Sequence, residues 1–190
     1  MFAKTLLLFI AFPALVCAQD KSLSADFDGD RIPDKVYVDS RDGAVAYELS
    51  SEGFRPVRSR RFEDAGEVFF QNAKGGFKVK ITQMRAGGAY QFRYDKDTGK
   101  MRLIGMERYE FGPASNDGSG KSSVNLVTGR YVGDWNYFDE AKNKLVKIPT
   151  IEKRMPFRSV YFDTFTDEFA TYSDQDAAYY AAEKVRLYRK

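Results

Sequence analysis

Apolar and polar residues alternate along much of the chain, with the period of two that is typical of half-buried β-strands. In the clearest run Phe77, Val79 and Ile81 are separated by polar residues. The alternation predicts strands at 34–39, 44–49, 67–72, 76–84, 90–94, 101–109 and 144–151, and a strand, a tight turn and a second strand within 122–137. Glycine-containing turns separate these runs, so neighbouring strands are expected to pair as antiparallel hairpins. Residues 86–88, which include two glycines, are expected to break the sheet.

The hydrophobic period changes near the C-terminus. Ala178, Ala181, Val185 and Tyr188 recur at helical spacing, and Ser173 precedes acidic residues as a helix N-cap does. We therefore predict a mainly β fold, an antiparallel meander of hairpins with a short C-terminal helix. The meander would form an incomplete propeller-like sheet or a twisted sandwich, because a complete propeller needs at least four blades of four strands. The aromatic segment 157–165 is expected to pack against the core.

The first 18 residues have the composition of a secretory signal peptide. Lys4 precedes an apolar run that ends in small residues, so cleavage is expected after Ala18. A lipoprotein signal would also end in a cysteine, but it requires a small residue where Val16 stands, which favours cleavage over lipidation of Cys17. We expect a periplasmic or secreted protein with one β-rich domain at 19–190 and no membrane span.

Composition excludes several kinds of chemistry. The chain has no histidine, and its only cysteine, Cys17, lies in the predicted signal peptide. Histidine-dependent triads, thiol catalysis and histidine-based zinc sites are therefore excluded, and so is a disulfide in the mature chain. A pair of carboxylates, as in glycosidases, is the main catalytic arrangement left. The formal net charge of +3 is close to balance, which argues against nucleic acid as the main partner.

An acidic loop at 26–34 is the candidate metal site. Asp26, Asp28, Asp30 and Asp34 occupy positions 1, 3, 5 and 9 of a calcium-binding pattern, and Ile32 occupies position 7, where the backbone carbonyl is the ligand. Four carboxylates this close repel one another, so Ca²⁺ would stabilise the folded loop. The alternative is a solvated acidic turn. We favour calcium, because a generic turn rarely has this spacing.

The loop differs from an EF-hand and continues as a strand. Arg31 stands where the EF-hand has glycine, and Tyr37 stands where it has a bidentate glutamate. A D-x-D-G-D-x-x-x-D loop that runs into a hydrophobic strand resembles the calcium loops of FG-GAP and VCBS-type β-propeller repeats, and this resemblance covers residues 25–38. It implies a metal-stapled β-hairpin or blade and by itself names no function.

The order of features over most of the chain resembles a group of small periplasmic bacterial proteins. The segments that carry this resemblance are the hairpin at 90–104 and the N-L-x-T-G-like turn within 123–131. Some of that group resemble periplasmic lysozyme inhibitors, or immunity proteins against a secreted cell-wall hydrolase. The resemblance implies a calcium-stabilised protein that binds a secreted hydrolase or effector and is not an enzyme. Lysozymes are usually basic and this chain is slightly basic, so the target would be a less basic hydrolase, or local acidic groups would make the contact: Asp117, Asp163 and Asp167.

Three further features have two interpretations each, and we favour the first in every case. The basic segment 54–62 is a solvated edge strand or a patch for an acidic partner. Trp135 is a core residue or, with Tyr137, a platform for sugar in a glycan- or peptidoglycan-binding module. Asp95 and Asp97 are turn residues or a second, poorer cation site. A carboxylate-based hydrolase is the remaining alternative, and it requires two carboxylates in one cleft.

Overall fold

The computed structural model describes residues 21–59, 62, 67–166 and 168–188. The predicted signal peptide with Cys17 and its cleavage point lies outside these residues, and so does Asp167. Within the described ranges no helix has both the length and the apolar character needed to cross a membrane.

A small antiparallel sheet is formed by the first four strands, in chain order. They are β1 (Ser22–Ala25), β2 (Asp34–Val38), β3 (Val45–Glu48) and β4 (Val57–Ser59), with a 3₁₀ turn at Ser50–Glu52 between β3 and β4. β1 follows directly on the described start of the chain and pairs with β2, so that Ala25 lies opposite Asp34. The alternation in the sequence did not reveal β1, because it has only four residues and just one large apolar side chain, Leu23.

A larger antiparallel sheet contains eight strands. They are β5 (Glu67–Ala73), β6 (Gly76–Thr82), β7 (Ala86–Asp95), β8 (Lys100–Glu110), β9 (Gly120–Asn125), β10 (Arg130–Asp139), β11 (Lys144–Lys147) and β12 (Ile151–Arg154). β5 to β10 pair consecutively as a meander, and β11 and β12 pair with successive halves of β10. The prediction of a mainly β, antiparallel fold is confirmed, and the sheets do not close into a barrel.

The single strand predicted at 144–151 is two strands. Ile148 is fully buried between β11 and β12, and the chain then passes through Pro149, which has no amide hydrogen to donate to β10. The prediction of one continuous strand was therefore wrong, because alternation alone does not show where the ladder of hydrogen bonds is interrupted.

One face of the large sheet forms the core. Phe77, Val79 and Phe92 are fully buried on this inner face, while Lys80, the residue after Val79, is exposed, as the alternation predicted. The small sheet covers one part of the inner face, where Phe27 packs against Phe77 with ring centroids 5.1 Å apart. The predicted packing of segment 157–165 is confirmed by the burial of three of its side chains: Val160, Phe162 and Phe165.

Helix α1 (Glu168–Tyr188) covers the remaining part of the inner face. The short C-terminal helix is thus confirmed, but Ser173 is not its N-cap, since the helix begins five residues earlier at Glu168. The added turn contains Phe169 and buried Tyr172, whose rings pack 5.8 Å apart. Burial against the sheet therefore extends the helix upstream of the capping signal.

Two consecutive glycines allow β7 to continue where a break was predicted. A Cβ atom on Gly87 would lie 2.5 Å from the Tyr109 ring, and one on Gly88 would lie 3.1 Å from the Phe169 ring. Aromatic rings thus cover the backbone on both faces of β7. The prediction that 86–88 breaks the sheet was wrong, because these glycines provide close approach and not a turn.

Candidate functional site

The acidic loop connects β1 to β2 and is anchored at both ends. Ala25 and Asp34 pair across the two strands, and buried Phe27 fixes the loop on the large sheet. Gly29 and Arg31 have φ angles of 91° and 73°. Arg31 therefore adopts the left-handed conformation for which an EF-hand uses glycine, so this departure from the pattern changes the residue type and not the required backbone geometry.

Three of the four predicted carboxylates converge. Asp26, Asp28 and Asp34 each place one carboxylate oxygen within 4.8 Å of the others. Ligands on opposite sides of a calcium ion lie about 5 Å apart, because each Ca–O distance is about 2.4 Å. The spacing of these oxygens therefore fits a single Ca²⁺ ion, although acidic groups also cluster without one.

The other two predicted ligands, Asp30 and Ile32, do not join the group of three carboxylates. Asp30 is outside the group of three, since Ser50 Oγ donates a hydrogen bond to its Oδ2 at 2.7 Å. This bond, followed by one from the Ile32 amide, holds the pKa of Asp30 below its ordinary value. Ile32 is half exposed, and its amide donates to Asp30 Oδ1 at 2.7 Å. The role of its carbonyl as a ligand stays a prediction.

Asp34 organises the loop through hydrogen bonds. The Phe27 amide donates to its Oδ2 at 2.6 Å, and the Ser50 amide donates to its Oδ1 at 2.8 Å. Asp26 receives the amides of Gly29 and Arg31 at 2.6 and 3.0 Å. These donors are neutral, so they orient the carboxylates without balancing their charge. The loop keeps a defined shape and an excess of negative charge, both of which favour binding of a divalent cation.

Two serines of the 3₁₀ turn belong to this site and were missed in the sequence. Ser50 donates to Asp30 and Asp34, and Ser51 Oγ donates to Asp28 Oδ2 at 2.7 Å. They lie sixteen or more residues after their acceptors, so no local spacing relates them to the loop. Only the pairing of β2 with β3 brings the turn back to the carboxylates.

A second polar cluster lies buried between α1 and the large sheet. Asp176 is fully buried and accepts hydrogen bonds from the Tyr131 hydroxyl, from Trp135 Nε1 at 3.0 Å and from Ser122 Oγ at 3.1 Å. Arg108 forms an ion pair with it at 2.6 Å. Burial, followed by the hydrogen bond to Asp176, raises the pKa of Tyr131 far above its ordinary value. The cluster attaches the helix to β8, β9 and β10.

The burial of Trp135 confirms its prediction as a core residue. Trp135 and Tyr137 are only 3% and 5% exposed, so neither can stack on a sugar. The glycan-binding alternative therefore loses the two residues on which it rested.

The other polar features predicted as contact or cation sites form ion pairs or hydrogen bonds within the protein. Arg58 of the basic segment lies on edge strand β4 and pairs with Asp39 and Asp42, which supports the solvated-edge interpretation. Asp95 accepts the Asp97 amide at 3.1 Å, as a turn residue does. Two of the carboxylates predicted to contact a hydrolase form ion pairs within the protein: Asp117 pairs with Lys184, and Asp163 pairs with Lys100.

An exposed apolar rim lies at the end of the large sheet where β6, β7 and β8 meet. Met84 is 95% exposed in the β6–β7 turn, and Phe111, just after β8, is 54% exposed. The Phe111 amide donates to the carbonyl of Arg85 at 2.8 Å, and Arg85 Nε donates to the carbonyl of Gly112 at 2.6 Å. These hydrogen bonds join the turn that carries Met84 to the segment that carries Phe111.

No family model, curated protein or solved structure matches the chain.

Proposed function

We propose that the chain is a calcium-stabilised module that binds a protein partner outside the cytoplasm. Its role would be that of an inhibitor or immunity protein against a cell-wall-active hydrolase. The observation that carries the binding role is the exposed rim of Met84 and Phe111. Export is supported by the composition of residues 1–18, and the class of partner is supported by the resemblance of the loop and hairpins to periplasmic inhibitors.

The rim has the character of a protein interface. Methionine and aromatic residues are enriched at the centres of such interfaces, where they enter apolar pockets of the partner. Met84 is almost fully exposed and contributes little to the core, so the fold gains little from an apolar residue at this turn. Phe111 packs on Tyr109 with ring centroids 5.4 Å apart, which holds its ring in position.

The acidic loop has a structural role in this proposal. Asp26, Asp28 and Asp34 would hold Ca²⁺, which would supply the positive charge that the amide and hydroxyl donors lack. The loop contacts the large sheet through Phe27 and the 3₁₀ turn through Ser50. Binding of the ion would thus stabilise the position of the small sheet on the core, in a protein without disulfides.

A hydrolase role is less well supported. Asp117 and Glu140 line one cavity of about 440 Å³ together with Lys184. Burial alone would raise the pKa of Asp117, but the amide of Phe138 and the Lys184 ammonium lower it below its ordinary value. A glycosidase acid needs a raised pKa, so this carboxylate is suited to structure and not to proton donation.

Capture from periplasmic extract tests the binding role. Immobilised protein in excess Ca²⁺ should retain a cell-wall hydrolase, and stoichiometric addition of the protein should lower that enzyme's rate on isolated cell wall. Met84→Ser/Phe111→Ser should lose both effects. Val127→Ser, at a distant apolar position that is about as exposed as Phe111, is the control. Recovery of no specific partner with or without chelator, or capture that does not depend on the rim, would contradict the proposal.

A further inference from the structure

The outer face of the large sheet, which points away from the small sheet and α1, is left open by both. The strand register places Lys80, Ala89, Glu107, Ser123 and Val132 in one row across β6 to β10. These positions alternate with the buried inner-face residues. The row is therefore a continuous surface that runs across five strands.

The centre of this outer face is a shallow trough of about 400 Å³. Small side chains form its floor, among them Ala89 and Ser123, and Lys80, Tyr109 and Lys121 also line it. Tyr109 lies over Gly87, so its ring forms a wall of the trough and does not fill it. The trough is open and can accept an extended chain laid across the strands.

The charges on this face are not balanced. The carboxylates in and beside the central part of this face already have cation neighbours: Lys78 contacts Glu107 at 2.6 Å, Arg130 contacts Glu152 at 3.0 Å, and Lys147 approaches Asp134 at 3.8 Å. Lys80 and Lys121 are exposed, and neither forms an ion pair with any residue that the structure describes. Glu107 and Asp134 line the same trough, and Asp134 lies opposite Lys121 in the strand register. Each of these carboxylates already has another lysine beside it, Lys78 or Lys147. The ammonium groups in and around the trough therefore outnumber the carboxylates, which favours an anionic occupant.

We propose that this trough binds an acidic segment of the protein partner. The inference rests on the proposed function, because it names the chemistry of the surface that the partner presents. Lys80 on β6 and Lys121 on β9 lie three strand spacings apart, roughly 14 Å, which is longer than one small anion and matches several residues of extended chain. Tyr109 lines the trough and also packs on Phe111 of the rim, so the basic and apolar surfaces are continuous.

Binding of hexaglutamate to the calcium-saturated protein tests the trough without a known partner. Amide NMR shifts at low salt should change saturably at Lys80, Ala89, Tyr109 and Lys121. The affinity should fall about tenfold in Lys80→Glu/Lys121→Glu, because both favourable charges are reversed. Lys74→Glu/Lys96→Glu, which makes the same change in net charge at exposed turns outside the trough, should leave the affinity unchanged.

Two comparison ligands separate the possible occupants. Hexalysine should cause no shift in the trough, and monomeric galacturonate should bind far more weakly than hexaglutamate. Galacturonate that binds as tightly as hexaglutamate would identify a saccharide site and overturn the inference. Shifts scattered over the turn lysines, or an equal loss of affinity in the control variant, would also overturn it.

The two proposals fail in different assays. If hexaglutamate does not bind the trough but capture still depends on Met84 and Phe111, the inference on acidic partners fails and the binding role stands. If capture does not depend on the rim, the proposed function fails, whatever hexaglutamate does.

Discussion

The protein contains two aspartate clusters that are organised in opposite ways. In the acidic loop, Asp34 is fully buried and its hydrogen-bond donors are backbone amides and a serine hydroxyl. In the cluster under α1, Asp176 is equally buried, but one of its partners is the Arg108 guanidinium. The loop therefore keeps excess negative charge, whereas the charge of Asp176 is balanced within the fold.

This difference separates a candidate ligand site from a structural attachment. Neutral donors shape a group of carboxylates and still leave the charge that attracts a divalent cation. A buried pair of opposite charges has no such capacity. Removal of Asp176 would leave the buried guanidinium of Arg108 paired with the more exposed Glu110. Burial and hydrogen bonding are similar in the two clusters, so the compensating cation is the feature that distinguishes them.

Removal of the buried charge under the helix should destabilise the protein most. Asp176→Ala leaves Arg108 without its buried partner and removes the acceptor of Tyr131 and Trp135, so the free energy of unfolding should fall by about 3–5 kcal/mol. Urea denaturation at pH 7 measures it, with Asp174→Ala, an exposed position on the same helix, as the control. Equal stability of the two variants would show that the cluster does not attach the helix.

Calcium should stabilise the protein through the acidic loop and not through the cluster around Asp176. At a free Ca²⁺ concentration 100 times the dissociation constant, the free energy of unfolding should rise by about 2.7 kcal/mol. Asp26→Asn should abolish this increase, whereas Asp97→Asn, in an exposed turn, should keep it. Denaturation in excess Ca²⁺ and in excess chelator gives the comparison. Identical denaturation curves under both conditions would show that the loop does not bind calcium.

Within the loop, the position of Asp30 predicts unequal contributions to calcium affinity. Asp28→Asn should weaken binding about tenfold or more, because Asp28 belongs to the converging group. Asp30→Asn should have a smaller effect, since its carboxylate is turned toward Ser50. Calcium titration by calorimetry measures both constants. Equal losses would show that Asp30 moves to join the ion.

A third carboxylate, Asp39, lies just after β2 and should contribute least to stability. Hydrogen bonds from Arg41 and Arg58 hold its pKa well below the ordinary value. Since the folded-state pKa is the lower one, Asp39 stabilises the fold above the pKa of the unfolded state, and this contribution is lost as the pH falls toward the depressed value. The effect should be modest, because Arg41 is largely exposed.

Urea midpoints measured between pH 5 and 2 test this assignment. The stability of Asp39→Asn should decline less with falling pH than that of the unaltered protein. Parallel declines would mean that other carboxylates dominate acid unfolding.

Features that depend on near neighbours in the chain could be predicted from the residues alone. Period-two alternation located most strands of the large sheet, since side chains of a half-buried strand face core and solvent in turn. The spacing of Asp26, Asp28, Asp30 and Asp34 likewise predicted one cluster, because a tight loop brings its own residues together. Three of the four carboxylates converge, and Asp30 lies outside the group.

Features that join distant segments became visible only in the folded chain. Ser50 and Ser51 reach the acidic loop through strand pairing, and Arg108, Tyr131 and Asp176 meet because α1 packs on three strands. The packing of α1 also explains the early start of the helix and places the Phe169 ring over Gly88, while strand pairing places the Tyr109 ring over Gly87 on the other face of β7. Such contacts arise from packing between segments far apart in the chain, and that packing leaves no period or fixed spacing in the sequence.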